Sequence, residues 1–152
     1  MNLPKLKSEK TDSIRGKPFP GGPAAPAEED YIFYSKSHFQ HMLRVERKRT
    51  ERSKRPFLLL LLDISDLMSL DNHREILGRI KTVLATSLRE VDIRGWYDHP
   101  KTIGVIFTEM GHIDVNAIER IIHKIYGRLC QGLDPGWVGK IRISFHIYPE
   151  TN

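Results

Sequence analysis

The sequence predicts an α+β domain in which an antiparallel sheet of four strands packs against helices, with one additional helix in front. After that leading helix, apolar segments follow one another in the order strand-helix-strand-strand-helix-strand. The first and third strand segments are continuously apolar, as central strands are, whereas the second and fourth alternate, as edge strands do. With right-handed crossovers, this order gives a ferredoxin-like βαββαβ sheet with the strand order 4-1-3-2.

Residues 1–30 precede the predicted domain, which spans 31–152. They hold more than half of the nine prolines, and their segment GKPFPGGPAAPAEED has no apolar period that could offset the entropy cost of ordering. We therefore expect a disordered tail rich in Pro and Gly. No apolar stretch approaches the roughly 20 residues of a transmembrane segment. No signal-peptide core follows the N-terminal lysines, so we expect a cytoplasmic protein.

The leading helix is predicted to begin near Ser35. Ser37 with Gln40 three residues later fits a capping box at its start. A short apolar stripe follows, formed by Phe39, Met42 and Leu43. The charged stretch behind this stripe continues the helix with mostly solvated side chains, and Pro56 ends it.

The first strand is predicted at 57–64, where FLLLLLDI is apolar almost throughout. A helix follows from about Asn72 to Arg89, because the large apolar residues of that segment fall on one face. These residues are Ile76, Leu77, Ile80, Val83, Leu84 and Leu88. The segments VDIRGWYD and TIGVIFTE then flank the turn residues 99–101 and predict a hairpin.

The last two elements are a helix and a strand. The helix is predicted from apolar residues at helical spacing, and Gly132 lies just past its end. These apolar residues are Ile118, Ile121, Ile122, Ile125 and Leu129. In the closing segment KIRISFHIYP, every second residue is apolar, which is typical of an edge strand. These residues are Ile141, Ile143, Phe145 and Ile147.

The positive charge of the chain is concentrated in the leading helix. The net charge is +5, yet residues 36–55 carry eight Lys and Arg against two Glu. This segment could contact an anionic surface or nucleic-acid phosphates, although such a run is more often a solvated face or a partner contact. The candidate contact residues are Arg44, Arg47, Lys48, Arg52 and Arg55. An RNA-binding sheet needs aromatic residues on its two central strands, and their scarcity here argues against nucleic acid.

Two further residue classes give weaker predictions. The single cysteine, Cys130, excludes an internal disulfide and a Cys-based zinc site. His38 and His41 are three residues apart on the leading helix, but no third ligand accompanies them, so we predict no metal site.

Trp96 and Tyr97 lie on a predicted edge strand. Either one of them faces solvent and marks a contact surface, or Trp96 packs beneath a helix.

Three segments resemble the GGDEF (diguanylate cyclase) domain. RPFLLLLLDISDLMSLDN is similar to its first strand, LLLLDIDxFKxIND, and LREVDIRGWY is similar to its LRxxDxxxRYGGDEF segment. IRISFHIYPE resembles its closing SxGIAxYP strand, and the basic helix matches the helix that leads into the domain. The resemblance covers roughly Tyr34 to Glu150 and implies a nucleotide-cyclase-like version of the predicted sheet.

The resemblance also implies that the catalytic site is degenerate. In active members the first Asp of LDID and the backbone after it help to hold Mg²⁺, and Asp63 and Ile64 match these positions. A second carboxylate comes from the GGDEF turn, which also binds GTP. Here 98–102 reads DHPKT, so the Gly pair is missing and either Lys101 or Thr102 stands near the position of that carboxylate, where a Lys would repel the metal. Asp98 could supply a carboxylate, but at a hairpin tip Asp is usually a turn former. Asp63 is thus a vestigial metal position, and we predict no catalytic residue and no cofactor.

One ligand-binding feature of the family is retained. Active cyclases often carry an inhibitory RxxD site, five residues before GGDEF, that binds cyclic di-GMP. Arg89 and Asp92 match this site and its spacing. An Arg fork suits phosphate or a guanine edge, and Asp can accept hydrogen bonds from guanine N–H groups. Alternatively, neither residue binds a ligand. Arg89 is then a cation favoured at a helix C-terminus, and Asp92 caps or starts the strand.

The expected function is therefore a catalytically inactive GGDEF-like module that regulates or binds other proteins. The resemblance makes bacterial signalling or exopolysaccharide control a plausible setting. The expected partner is an unidentified protein or a second copy of the chain. Two alternatives stay open: a cyclic di-GMP sensor acting through the RxxD residues, and an anionic-surface or nucleic-acid binder acting through the leading helix.

Overall fold

The computed structural model describes residues 32–149, so the tail predicted at 1–30 lies outside the described residues. Nine elements follow one another along the described chain. They are α1 (Lys36–Ser53), β1 (Phe57–Asp63), α2 (Ser65–Met68), α3 (His73–Ser87), β2 (Ile93–Asp98), β3 (Thr102–Phe107), α4 (Val115–Gly132), α5 (Pro135–Val138) and β4 (Arg142–Tyr148).

The four strands form one antiparallel sheet in the order β2-β3-β1-β4. This is the predicted order 4-1-3-2 counted from the other edge, so the α+β fold prediction is confirmed. β1 lies between β3 and β4, with Leu60 opposite Val105 on one side and Phe145 on the other. A central strand that is covered on both faces has no solvent side, which explains why β1 is apolar almost throughout.

The two faces of the sheet belong to different hydrophobic clusters. On one face α3 and α4 pack against every second residue of β1, namely Leu58, Leu60 and Leu62. On the other face α1 covers Phe57 and Leu59 with Phe39 and Leu43, which are fully or almost fully buried. A Cβ at Gly104 would lie 2.6 Å from the Phe39 ring, so the missing side chain allows α1 to approach the sheet. The leading helix is therefore part of the core.

Residues just before α1 cover the outer edge of β2. The backbone N–H of Tyr34 donates to the Arg94 carbonyl at 3.0 Å, and the N–H of Trp96 donates to the Tyr34 carbonyl at 2.9 Å. Phe33 packs edge-on against Trp96, with ring centroids 5.6 Å apart. Trp96 is only 7% exposed, which favours the core interpretation of this residue over a contact surface.

α1 begins next to Ser35, as predicted, but the capping box predicted for its start places the N-cap two residues too late. Ser35 is the N-cap, and its hydroxyl accepts a hydrogen bond from the backbone N–H of His38 at 3.3 Å. The predicted capping box of Ser37 and Gln40 does not form at the helix start. The Gln40 amide instead donates to the carbonyl of Tyr97 at 2.8 Å. The Gln40 side chain therefore forms a tertiary hydrogen bond and does not form the local capping box.

The remaining differences concern helix ends and short helices. The helix predicted at 72–89 runs from His73 to Ser87, and Gly132 is the last residue of α4 instead of the residue beyond it. α2 and α5 were not predicted, because four residues are too few to show a helical period. None of the helices in residues 32–149 has the length and apolar character needed to cross a membrane.

Candidate functional site

The residue that resembles a metal ligand, Asp63, lies at the end of β1 in a row that crosses the sheet. Thr102 of β3 is paired with Asp63 on one side, and Arg142 of β4 is paired with it on the other. Asp98 of β2 pairs in turn with Thr102. The sheet register therefore gathers the end of β1, the start of β4 and the hairpin turn at one end of the sheet.

Both carboxylate oxygens of Asp63 have donors within the protein. Oδ1 accepts hydrogen bonds from the backbone N–H of Ser65 at 3.0 Å and from its hydroxyl at 2.7 Å. Oδ2 lies 3.5 Å from Nη1 of Arg142, whose Nη2 lies 3.1 Å from Oδ2 of Asp66. The Ser65 hydrogen bonds, and secondarily the Arg142 guanidinium, hold the pKa of the Asp63 carboxyl below its ordinary value. The arginine thus bridges two carboxylates at the matched metal position.

The backbone at Ile64, the second matched position, is also engaged. Its carbonyl accepts hydrogen bonds from the N–H groups of Leu67 at 2.9 Å and Met68 at 3.1 Å, which open α2. Its N–H donates to the carbonyl of Lys101 at 2.8 Å. The hairpin turn is therefore hydrogen-bonded directly to the chain that follows β1.

Two side chains of the hairpin turn, those of Asp98 and His99, contact residues other than Asp63. The backbone N–H of Lys101 donates to the Asp98 carbonyl at 2.8 Å and closes the turn. The Asp98 carboxylate forms an exposed ion pair with Lys36 of α1, at 3.2 Å. The His99 ring packs edge-on against Trp96, with centroids 4.8 Å apart. Of the two interpretations of Asp98, this arrangement favours the turn former.

The two RxxD residues, Arg89 and Asp92, contact each other. The Asp92 side chain is 2% exposed and accepts hydrogen bonds from the backbone N–H of Arg89 at 2.8 Å and from its Nη2 at 2.8 Å. That Nη2 also donates to the Thr108 carbonyl at 2.9 Å. Asp92 raises the pKa of Arg89 above its ordinary value. Asp92 therefore organises the loop before β2, while about half of the Arg89 side chain stays open to solvent.

A cavity of about 410 Å³ lies beside this pair. Arg120 and Lys124 of α4 line it together with Arg89 and one exposed carboxylate, Glu109, and Phe107 and Ile125 contribute apolar surface. This volume lies within the range of small-molecule sites. The combination of cations and apolar surface suits an anion that carries a flat or apolar part. No sequence motif indicated Arg120 and Lys124, although their spacing of four residues places them on one side of α4.

The predicted basic contact residues lie on the exposed side of α1. Arg44, Lys48 and Arg52 are exposed, as are Arg47 and Arg55. The Arg47 guanidinium lies 5.1 Å from the centroid of the Tyr148 ring. The structure therefore keeps all five candidate residues accessible at the surface.

Among residues 32–149, no group of three or more His, Cys, Asp and Glu is arranged to hold a metal ion. No family model matches the sequence, and no curated protein matches it significantly.

Several solved structures have the same fold. A DGC protein from Thermotoga maritima matches with a TM-score of 0.60 at 21% identity, over 80% of this chain and 86% of that one. The GGDEF domain of DgcB from Caulobacter crescentus, in complex with c-di-GMP, matches with a TM-score of 0.56 at 12% identity, over 76% and 71%. The diguanylate cyclase SiaD from Pseudomonas aeruginosa, in complex with its activator SiaC, matches with a TM-score of 0.56 at 15% identity. That match covers 76% of this chain and 46% of SiaD.

Proposed function

We propose that this chain, which has the fold of GGDEF domains, is a module of cyclic di-GMP signalling that has no diguanylate cyclase activity. In this proposal it acts by regulating or binding another protein, or a second copy of itself. The observation that carries the proposal is the Arg142 guanidinium, which lies between the carboxylates of Asp63 and Asp66. A guanidinium charge at the matched metal position repels Mg²⁺ and competes for the oxygens that would bind it.

The other residues at this end of the sheet do not fit a magnesium–GTP site either. The Ile64 carbonyl already accepts two hydrogen bonds at the start of α2. Lys101 stands near the position where the family has its second carboxylate, and the turn 98–102 has no glycine that would let a phosphate approach the backbone. Phosphoryl transfer depends on metal ions and positioned donors around the phosphates. The residues present provide neither free carboxylate oxygens for a metal ion nor a glycine backbone open to the phosphates, which supports the absence of cyclase activity.

We expect the purified chain to form no cyclic di-GMP when it is incubated with GTP and Mg²⁺, because its residues do not assemble the metal site. The measurement is chromatography of the reaction products over time. An active diguanylate cyclase under the same conditions serves as the positive control. Steady production of cyclic di-GMP by this chain would reject the proposal.

A second candidate function is a cyclic di-GMP sensor, and the cavity beside Arg89 and Asp92 favours it. A cyclic dinucleotide carries two phosphates and two planar bases. Arg89, Arg120 and Lys124 would face the phosphates, and the apolar lining would contact a base. The GGDEF domain of DgcB, which has the same fold, is in complex with c-di-GMP. A domain of this fold can therefore bind c-di-GMP, which supports the sensor candidate.

Calorimetry with cyclic di-GMP tests this second function. We expect the unmodified chain to bind and Arg120→Ala to bind at least about tenfold more weakly, since a charge-assisted hydrogen bond contributes about 1.5–3 kcal/mol. Arg120 is a better probe than Arg89, because changing Arg89 would also break the pair with Asp92. The matched control is Arg128→Ala, which removes an exposed arginine of α4 that does not line the cavity. Absence of binding, or equal weakening by both variants, would remove this candidate.

A further inference from the structure

The exposed side of α1 carries a row of positive charges along the helix. Arg44, Lys48 and Arg52 follow one another at intervals of four residues, which places them about 6 Å apart on one side. Phe39 and Leu43 hold the opposite side of the helix against the sheet. We call these three cations the α1 row. Because α1 is the only long helix on its face of the sheet within residues 32–149, the α1 row lies along a convex ridge.

Further cations widen this ridge into a surface. On one flank Arg47 lies over the ring of Tyr148, at the end of β4. On the other flank Arg49 and Arg55 line a shallow depression together with Thr108, just beyond β3. Since β4, β1 and β3 are neighbours in the sheet, the positive surface is about 10 Å wide. It contains three acidic residues: Glu51, which is exposed, Glu46, which is paired with Arg49 at 3.1 Å, and Glu109, which lines the depression.

This surface offers charge but no exposed large apolar or aromatic side chain for insertion, since the Tyr148 ring lies beneath Arg47 and stacks on Phe57. Phe39 and Leu43 are buried, and Met42 and Val45 are half-buried. The exposed large hydrophobic residues of the described chain all lie on other elements. A helix that inserts into a membrane needs a free apolar face, and a protein that binds single-stranded nucleic acid needs aromatic platforms. Neither requirement is met by α1.

We propose that this face of α1 binds the headgroup layer of anionic phospholipid membranes by charge alone, without insertion. Charge complementarity with phosphate carries the proposal, because five of the seven cations on the ridge and its flanks between positions 44 and 55 are arginines, whose planar forks suit phosphodiester oxygens. The breadth of the surface favours a two-dimensional layer of phosphates over a single nucleic-acid strand. The binding would be peripheral, reversible and salt-sensitive. It is independent of whether the chain has cyclase activity.

Sedimentation with vesicles tests the proposal on the full chain. We expect binding to vesicles of phosphatidylcholine and phosphatidylglycerol at low salt, none to pure phosphatidylcholine, and release as salt is raised. The variant Arg44→Gln/Lys48→Gln/Arg52→Gln should bind roughly a hundredfold more weakly, because each cation near an anionic surface contributes about fivefold. All three positions are exposed, so the variant should unfold at the same denaturant concentration as the parent.

The matched control removes the same number of charges elsewhere. Arg74→Gln/Arg128→Gln/Lys140→Gln changes three exposed cations outside α1 and should keep binding within a few fold of the parent. Equal loss in the two triple variants would show that only net charge matters and would overturn the proposal. Absence of binding to anionic vesicles at low salt would also overturn it. So would tighter binding to duplex DNA than to anionic vesicles at the same salt, which would assign the surface to nucleic acid.

Discussion

The variant Gly95→Ala is expected to lower the free energy of unfolding by about 3 kcal/mol. A Cβ at this position would lie 2.6 Å from the Tyr34 carbonyl oxygen and 2.9 Å from its backbone nitrogen. Backbone atoms cannot rotate away as a side chain can, so Tyr34 or β2 itself must shift. The shift would break the two hydrogen bonds that join Tyr34 to β2 and separate Phe33 from Trp96.

Denaturant unfolding followed by tryptophan fluorescence measures this effect, since Trp96 lies at the affected contact. The matched control is Gly78→Ala in the exposed middle of α3, where a Cβ would meet nothing within 4 Å. That variant should gain up to about 1 kcal/mol, because alanine favours a helix interior over glycine. An unchanged midpoint for Gly95→Ala would show that the Tyr34 bridge contributes nothing to stability.

The variant Asp92→Ala is expected to lower the free energy of unfolding by about 2–3 kcal/mol. The Asp92 side chain is 2% exposed, and its carboxylate accepts hydrogen bonds from both the backbone N–H and the guanidinium of Arg89. Removing it leaves the N–H of Arg89 without this acceptor inside the loop. The cost stays below that of breaking a fully buried ion pair, because the Arg89 side chain is 51% exposed and can be rehydrated.

Two neighbouring changes separate this effect from a general loss of charge. Asp92→Asn keeps an oxygen that can accept from the Arg89 N–H, so it should cost less than Asp92→Ala. Glu90→Ala removes an exposed carboxylate two residues away and should change stability by no more than about 0.5 kcal/mol. If Glu90→Ala cost as much as Asp92→Ala, the loop would not depend on the geometry of the Asp92 carboxylate. Urea unfolding of the three variants provides the comparison.

The sheet could be predicted from the sequence because its central strands differ in composition from its edges. The leucine run of β1 has no solvent face, whereas polar and apolar residues alternate in β4. This difference between central and edge strands indicates the observed strand order. The position of α1 was harder to predict. Its stripe of Phe39 and Leu43 is short, and the charges around it suggested a solvated helix. These two residues are instead buried against Phe57, Leu59 and Ile106 in the core on one side of the sheet. Gln40 could not be assigned locally, because its partner, Tyr97, is 57 residues away.

The candidate sites were predicted only as far as local spacing allowed. Arg89 and Asp92 are close enough in sequence for their contact to follow from a loop. Arg142 is 79 residues from Asp63, and their contact depends on the register between β4 and β1, which no local pattern specifies. Arg120 and Lys124 reach the cavity only because α4 packs beside the start of β2 and the end of β3. Local motifs can therefore indicate one half of each site, and tertiary structure supplies the other half.

The two hydrogen bonds between Tyr34 and β2 also connect the upstream chain mechanically to the sheet. A load applied to the chain upstream of residue 32 passes through the ring contact between Phe33 and Trp96 and the two hydrogen bonds at Tyr34 to β2. From Gly95, β2 leads back within three residues to Asp92, at the rim of the cavity. A protein that binds the upstream segment and pulls on it would therefore transmit force to β2, beside the cavity, without contacting the cavity.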